Sequence, residues 1–146
     1  MGRGCIEYLA ILLLAVSCSA PFQTEDFRPI EERDSLGRFV YDIDMSDSLC
    51  SYDILLYTRM DCNYKEFGKI RDIKVEVGFS SPSGKVYSET VYLPVSSFIS
   101  GRRGTYDCKV EYRKDMVPVE WGMWQMTLAM PELSGLHGMG IINRKR

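Results

Sequence analysis

The chain has 146 residues, 26% of them charged and 45% hydrophobic, which is typical of a globular protein and excludes a disordered or collagen-like one. This length holds one ordinary domain once any leader is removed. The formal net charge is −2 and the pI is about 5.5. Such a charge gives no general electrostatic affinity for nucleic acid, so we expect no nucleic-acid partner.

The first 17 residues have the pattern of a signal peptide. Arg3 supplies a positive charge, and residues 8–16 (YLAILLLAV) form an apolar run. A helix that spans a bilayer needs about 20 apolar residues, so this run is too short to remain as a membrane span. We therefore predict that residues 1–17 are a lipoprotein leader that is removed on export.

The residues around Cys18 point to lipidation. Ala15, Val16 and Ser17 directly precede Cys18, and this arrangement resembles the sequence recognised by the bacterial lipoprotein signal peptidase. Cys18 would then carry a diacylglycerol and further acyl chains such as palmitate, and the lipid bilayer would be a partner. The alternative is an ordinary secretory leader followed by an unmodified Cys. Lipidation predicts a cell-envelope protein, with the outer membrane favoured over the inner one.

Residues 18–36 are interpreted as the lipidated Cys followed by a tether. Residues 19–33 contain Pro and several acidic residues and show no regular hydrophobic period. A segment of this kind would lift a folded domain off the bilayer. One acyl chain gives only marginal membrane binding, whereas two or more give stable attachment.

Residues 37–146 are predicted to form the folded domain, because their apolar residues recur with a period of two rather than 3.6. Each alternating run places one face on a core and the other in water. The four clearest runs are Phe39, Tyr41, Ile43 and Met45; Ile73, Val75, Val77 and Phe79; Tyr106, Cys108, Val110 and Tyr112; and Trp124, Met126, Leu128 and Met130.

Three further segments complete the predicted sheet content. Residues 52–60 and 85–93 are strand-like, and residues 138–142 are a candidate last strand. Ser81-Pro82-Ser83-Gly84 is a turn sequence, which makes residues 73–93 a predicted hairpin. The sequence therefore predicts an all-β antiparallel sandwich of about seven strands, immunoglobulin-like or jelly-roll-like.

Three cysteines follow Cys18, namely Cys50, Cys62 and Cys108. If residues 52–60 form a strand, Cys50 and Cys62 lie roughly 30 Å apart at about 3.3 Å per residue. The Cα atoms of a disulfide lie about 6 Å apart, so these two do not pair with each other. A possible disulfide would join Cys108 to Cys50 or Cys62. We slightly favour the alternative of three thiols, with Cys108 in the core.

The sequence shows no catalytic or metal-binding pattern. His137 is the one histidine, and nothing in the sequence marks a nucleophile or an orienting carboxylate for it. Asp42, Asp44 and Asp47 do not fit a calcium-binding loop, because the sixth position of the pattern is Asp47 and not Gly. We therefore expect a protein that is not an enzyme, with no cofactor, no metal and no small-molecule substrate.

Two aromatic residues are candidates for an exposed surface. Trp124 is in register with Met126 and Leu128, which predicts that it belongs to the core. Trp121 and Tyr64 have no such register and are predicted to be exposed. The pattern assigns no ligand to either of them.

Four segments of the chain follow a recognisable order after Cys18. They are residues 52–59 (YDILLYTR), 81–85 (SPSGK), 120–126 (EWGMWQM) and 135–141 (GLHGMGI). Together they resemble the gliding-motility lipoprotein H family of the Bacteroidetes, which are lipidated proteins of similar length with an all-β body. The resemblance runs from Cys18 nearly to the end of the chain.

The resemblance implies an envelope lipoprotein that is an accessory component of the gliding motility and type IX secretion apparatus. Such a protein would act through contacts with other envelope proteins, and the family supplies no catalytic residues. The alternative is a surface-exposed lipoprotein module that binds a glycan or a peptide. Aromatic residues clustered on one surface would favour this alternative.

Overall fold

The computed structural model describes residues 22–146. The predicted leader and Cys18 lie outside the described residues. Within residues 22–146 no helix is both long enough and apolar enough to cross a bilayer. The longest α-helical segment described there is the single turn α1 (Tyr64–Phe67), which begins with a capping box between Asn63 and Glu66.

The described chain forms nine β-strands and three short 3₁₀ segments. The 3₁₀ segments are Ile30–Glu32, Val95–Ser97 and Arg102–Gly104. The strands are β1 (Gln23–Pro29), β2 (Phe39–Met45), β3 (Tyr52–Asp61), β4 (Ile73–Ser80), β5 (Val86–Leu93), β6 (Phe98–Ser100), β7 (Thr105–Met116), β8 (Gly122–Ala129) and β9 (Leu136–Lys145).

These strands form two antiparallel sheets that pack face to face. The five-stranded sheet has the order β1-β9-β3-β7-β6, and the four-stranded sheet has the order β2-β8-β4-β5. Without the short β6, the order is first-eighth-third-sixth in one sheet and second-seventh-fourth-fifth in the other. That is the strand order of a jelly roll, which consists of two Greek keys. The predicted all-β sandwich is confirmed, and the topology selects the jelly-roll alternative.

The core lies between the sheets and is filled by the alternating residues predicted from the sequence. On β2, Phe39, Tyr41, Ile43 and Met45 are all buried, while the residues between them are more exposed. On β3 the buried face includes Tyr52, Ile54, Leu56 and Met60, and β4, β8 and β9 contribute in the same way. Burial of this apolar area supplies the main free energy of folding.

The predicted boundary between tether and domain is wrong. Part of the segment assigned to the tether forms β1, and all of its residues from Gln23 to Pro29 pair with β9. The domain therefore begins by residue 23 and not at residue 37. Strand β6 was also not predicted, so β1 and β6 bring the described chain to nine strands instead of about seven. Strand β9 is longer than the predicted residues 138–142.

The hairpin predicted for residues 73–93 is confirmed. Strands β4 and β5 pair along their whole lengths, from Ile73 opposite Leu93 to Ser80 opposite Val86. The connecting turn is closed by the hydrogen bond that Ser81 N donates to Lys85 O, at 2.8 Å. Gly84 adopts φ +85° in this turn, a conformation that glycine accepts without strain.

The sandwich has two ends, which we name after residues found there. At the Trp121 end, loops 46–51, 81–85 and 117–121 connect the strands. At the His137 end lie residues 30–38, 62–72, 94–104 and 130–135. Each strand runs from one end of the sandwich to the other, and the next strand runs back in the opposite direction. Consecutive loops therefore alternate between the two ends.

Candidate functional site

A groove opens on one side of the sandwich, between β5 of the four-stranded sheet and the second half of β7 in the five-stranded sheet. Its cavity volume is about 210 Å³. It lies toward the Trp121 end, because the residues of each strand that line it are those nearest that end. The lining residues are Met45, Phe79, Tyr87, Glu89, Tyr112, Arg113, Met116, Val117, Pro118, Val119 and Trp124.

Four aromatic rings form a connected row along the groove. Tyr112 and Phe79 stack with their ring centroids 6.1 Å apart, and Phe79 meets Trp124 edge-on at 6.3 Å. Trp124 then lies 6.2 Å from Tyr87. Trp124 is almost fully buried, whereas Tyr87 is 45% exposed. The row therefore leads from the core to a ring that solvent or a ligand can reach.

Two irregularities in β7 direct its side chains into this groove. Along β3 the register of the pairing shifts between Ile54 and Leu55, and again between Tyr52 and Ile54. At the first shift, Ile54 faces Arg113 and Leu55 faces Glu111, so Tyr112 has no residue opposite it. An extra residue of this kind re-aims neighbouring side chains, and here both Tyr112 and Arg113 reach β5.

Glu89 of β5 is the polar centre of the groove. Its carboxylate accepts a hydrogen bond from the Tyr112 hydroxyl and another from the Arg113 guanidinium. The Arg113 guanidinium also lies 4.6 Å from the centre of the Tyr112 ring. Burial, together with the bond to Glu89, raises the pKa of Tyr112. The hydroxyl therefore stays protonated and remains a hydrogen-bond donor at neutral pH.

Both strands that border the groove have free edges within the described chain. Strand β5 pairs with β4 on one side and with no strand on the other. Strand β6 pairs with β7 only from Tyr106 to Cys108, so residues 109–116 of β7 have no strand on that side. An unpaired strand edge presents N–H and C=O groups that can bind another chain.

The loop at the groove's end is held by a small polar network. Glu120 accepts hydrogen bonds from Ser83 Oγ at 2.7 Å and from Ser81 Oγ at 3.0 Å. These bonds lower the pKa of Glu120. The Glu120 carbonyl accepts the indole N–H of Trp124 at 2.9 Å. The turn between β4 and β5 is thus tied to the loop that carries Val117 and Val119.

His137 lies at the opposite end of the sandwich from this groove. Its Nε2 is 2.7 Å from Asp61 Oδ2, and Thr105 Oγ1 donates to Asp61 Oδ1 at 2.8 Å. These bonds lower the pKa of Asp61. Thr105 contacts the carboxylate and not the imidazole, so the arrangement lacks the hydroxyl–imidazole contact that a Ser-His-Asp site requires.

The acidic residues considered as calcium ligands serve their own loop instead. Asp44 Oδ1 accepts the Ser46 N–H at 3.0 Å, and Asp47 Oδ1 accepts the Leu49 N–H at 3.0 Å. Asp42 lies exposed on the outer face of β2. Among residues 22–146, no cluster of three or more ligand side chains has the geometry of a metal site.

The three cysteines are too far apart for the disulfide considered from the sequence. Cys108 of β7 lies opposite Thr58, whereas Cys62 N donates a hydrogen bond to the carbonyl of Gly104, four residues before Cys108 and just ahead of β7. At about 3.3 Å per residue this separation is roughly 13 Å, more than twice the Cα distance of a disulfide. Cys50 lies beyond the other end of β3. All three cysteines are thiols in the structure.

The sequence predicted the exposure of three aromatic residues correctly but did not predict the groove. Trp124 is in the core and Trp121 and Tyr64 are exposed, as predicted. Tyr64 lies on α1 at the His137 end, away from the groove. Tyr87, Glu89 and Arg113 were not predicted as a group. Glu89 lies between Tyr87 and Val91 on one face of β5, and inward positions of a strand are normally apolar. A charged residue at such a position could have indicated the site.

Comparison with known protein families gives no match, and neither does comparison with curated proteins. Among solved structures, the chain is similar to TmCBM61, whose structure was determined in complex with β-1,4-galactotriose. The two share 12% sequence identity with a TM-score of 0.31, and the match covers 75% of this chain and 61% of that one. The chain thus spans less than two thirds of that protein's length, and a likeness at this score does not bear on what the chain binds.

Proposed function

We propose that the chain is a membrane-anchored envelope lipoprotein that works as a non-catalytic binding module. In this proposal the aromatic groove receives an extended segment of another envelope protein. One observation carries the proposal: an apolar, aromatic groove lies between two free strand edges, β5 and residues 109–116 of β7. A strand edge offers main-chain hydrogen bonds to an extended peptide, and the groove beside it offers a place for the peptide's side chains.

The groups around the groove favour binding over catalysis. Glu89 is held by Tyr112 and Arg113, so its carboxylate is already engaged. The histidine lies at the other end of the sandwich. A functional assignment must rest on a site, and this one presents apolar surface with a single paired charge.

The resemblance to the gliding-motility lipoprotein H family suggests where the partner is found. The module would be an accessory component of the gliding and type IX secretion apparatus, held to the outer membrane by acylated Cys18. Metabolic labelling with an acyl-chain analogue should mark the wild-type protein and fail to mark Cys18→Ala. Deletion in a gliding host should impair gliding or cargo secretion, and an intact phenotype would count against the accessory role.

The groove itself is tested by site-specific photo-crosslinking in cells. A photoreactive phenylalanine analogue replaces Tyr87, which lies in the groove, or Tyr92, which is exposed on the outer face of the same strand. We expect a crosslinked protein partner from position 87 and none from position 92. Equal crosslinking at both positions, or none at position 87 in a folded and lipidated protein, would show that the groove is not the binding site.

A glycan is a second candidate ligand, because a half-exposed ring, Tyr87, lies next to the charged pair of Glu89 and Arg113. Sugars bind through stacking on aromatic rings and hydrogen bonds to charged groups. Titration with galacto- and gluco-oligosaccharides, followed by tryptophan fluorescence, tests this alternative. A saturable change that is lost in Tyr87→Ala but kept in Tyr92→Ala would favour a glycan over a peptide.

A further inference from the structure

Two loops cross the Trp121 end of the sandwich side by side. Loop 46–51 joins β2 to β3, and loop 117–121 joins β7 to β8. Their flanking residues are register partners, since Tyr52 faces Met116 in one sheet and Met45 faces Gly122 in the other. Both loops therefore span the same gap between the two sheets, and their side chains form one surface.

This surface is apolar to an unusual degree for exposed loops. Leu49 is 94% exposed, Val119 is 75% exposed and Val117 is 64% exposed. Trp121 is 41% exposed and lies in the same loop as the two valines. Single exposed apolar residues are common on soluble proteins, but a group of them on adjoining loops marks an interaction surface. Phe22, Val86 and Met123 extend the exposed apolar set at this end.

The opposite end has a different character. Its surface carries the ion pair of Arg59 with Asp107 and the contact of His137 with Asp61. Exposed apolar side chains occur there too, but Leu36, Tyr64 and Ile99 lie on three separate segments.

The start of the described chain is at the apolar end. Phe22 O accepts a hydrogen bond from Lys145 N at 2.9 Å, and Gln23 pairs with Arg144, which fixes the chain beside the last residues of β9. Cys18 precedes Phe22 by four positions. Four residues reach at most about 14 Å when fully extended, so acyl chains on Cys18 would hold this end close to the lipid headgroups.

We propose that the Trp121 end is the membrane-facing end of the module and that Leu49, Val117, Val119 and Trp121 enter the headgroup region of the bilayer. The proposal rests on the anchor at Cys18 that belongs to the proposed function. Tryptophan and aliphatic side chains are favoured at this depth. Charges of both signs lie at this end, including Lys114, Asp115 and the basic residues 144–146 at the end of β9. In this proposal apolar contact drives the docking, and anionic lipid is not required.

This orientation also limits what the groove can bind. Val117 and Val119 line the groove and belong to the membrane-facing loop. The groove opens sideways between β5 and β7, next to that loop. Its ligand is therefore a segment that lies close to the lipid surface.

The orientation is tested by fluorescence quenching on vesicles. The purified mature chain carrying Trp124→Phe retains Trp121 as its single tryptophan and is mixed with vesicles of phosphatidylcholine brominated on its acyl chains. We expect loss of most of the Trp121 emission relative to unbrominated vesicles. The matched control carries Trp121→Phe, Trp124→Phe and Ile99→Trp, because Ile99 is 74% exposed at the His137 end. Its emission should not change.

A second measurement uses the chain without substitutions and so does not depend on the folding of a variant. Hydroxyl-radical labelling of Leu49 and Val119 should fall on vesicle binding, while labelling of Ile99 stays constant. The proposed orientation is wrong if brominated vesicles do not quench Trp121 and vesicle binding does not change the labelling of Leu49. The intact mass of the same sample shows whether Cys18 is acylated, so failure of the orientation is distinguished from failure of the anchor, and the crosslinking at position 87 is independent of both.

Discussion

The ring of Tyr57 occupies the space that a side chain at position 140 would fill. Tyr57 and Gly140 are register partners on β3 and β9, and a Cβ on Gly140 would lie 2.2 Å from the ring carbon Cζ. The ring cannot easily move aside, since it packs against Phe27 with the two ring centroids 5.6 Å apart. Gly140 is therefore required by this close approach.

We expect Gly140→Ala to lower the free energy of unfolding by about 1–3 kcal/mol, because the added methyl group forces Tyr57 out of its packed position. Urea denaturation measures the change. Gly68→Ala is the matched control, since its Cβ would meet its nearest atom at 3.4 Å in an ordinary backbone conformation. In a Tyr57→Ala background the Gly140→Ala substitution should cost much less, and an equal cost in both backgrounds would contradict this account.

The fold could be predicted from the sequence because its core depends on local alternation. In β2, for example, the alternation along the strand predicts directly which side chains are buried, namely Phe39, Tyr41, Ile43 and Met45. The groove could not be predicted in the same way. Glu89 and Tyr112 meet across two different sheets, and their contact depends on the extra residue in β7. No local pattern records which strand of one sheet faces which strand of the other.

Asp53 gives a prediction about pH. Its carboxylate is fully buried, and it accepts the Asp115 N–H at 2.8 Å and the Arg146 Nε–H at 2.6 Å. The Asp115 bond first, and Arg146 second, lower the pKa of Asp53 below its ordinary value. Because the pKa of Asp53 is lower in the folded state, its ionised carboxylate stabilises the folded protein at pH values above the unfolded-state pKa. This stabilisation is lost as the pH falls through the folded-state pKa.

We therefore expect Asp53→Asn to cost about 2 kcal/mol at pH 7, the usual loss for a buried hydrogen bond to a charged group. The difference between wild type and variant should shrink as the pH falls below about 4. Urea denaturation between pH 3 and pH 7, at about one-unit steps, measures it. Asp42→Asn changes the charge equally at an exposed position and should leave stability nearly unchanged. A difference that stays constant with pH would show that the pKa of Asp53 is the same in the folded and unfolded states, which contradicts this account.

The cysteines give a prediction about reactivity. Cys108 is buried, burial raises the pKa of its thiol, and its Sγ lies 3.2 Å from Ser97 Oγ. Cys50 and Cys62 are partly exposed. The pKa values of the Cys50 and Cys62 thiols are raised as well, so exposure decides the order of reaction. A maleimide should therefore modify the buried Cys108 last in the native protein. Mass spectrometry after denaturation without reductant should find all three alkylated, and a disulfide-linked peptide containing Cys108 would contradict the structure.

Strand β1 was missed because it has the composition of a linker. Its sequence, QTEDFRP, is mostly polar and ends in Pro. It lies at the edge of the five-stranded sheet, where one neighbour suffices and main-chain pairing with β9 holds it. Its charged side chains form an ion pair within the strand, since the Arg28 guanidinium donates a hydrogen bond to the Asp26 carboxylate at 2.8 Å. An edge strand can therefore form without the alternation on which the prediction depends.

If this strand belongs to the domain, its apolar residue must contribute to stability. Phe27 packs against Tyr57 with the two rings tilted, and its removal should lower the free energy of unfolding by about 1 kcal/mol, which is typical of an aromatic pair. Urea denaturation of Phe27→Ala measures this change, and the control is Phe22→Ala, since Phe22 precedes the strand and is 63% exposed. A free tether would give the two variants the same stability as wild type. Loss in Phe27→Ala alone would establish that the folded domain begins at β1.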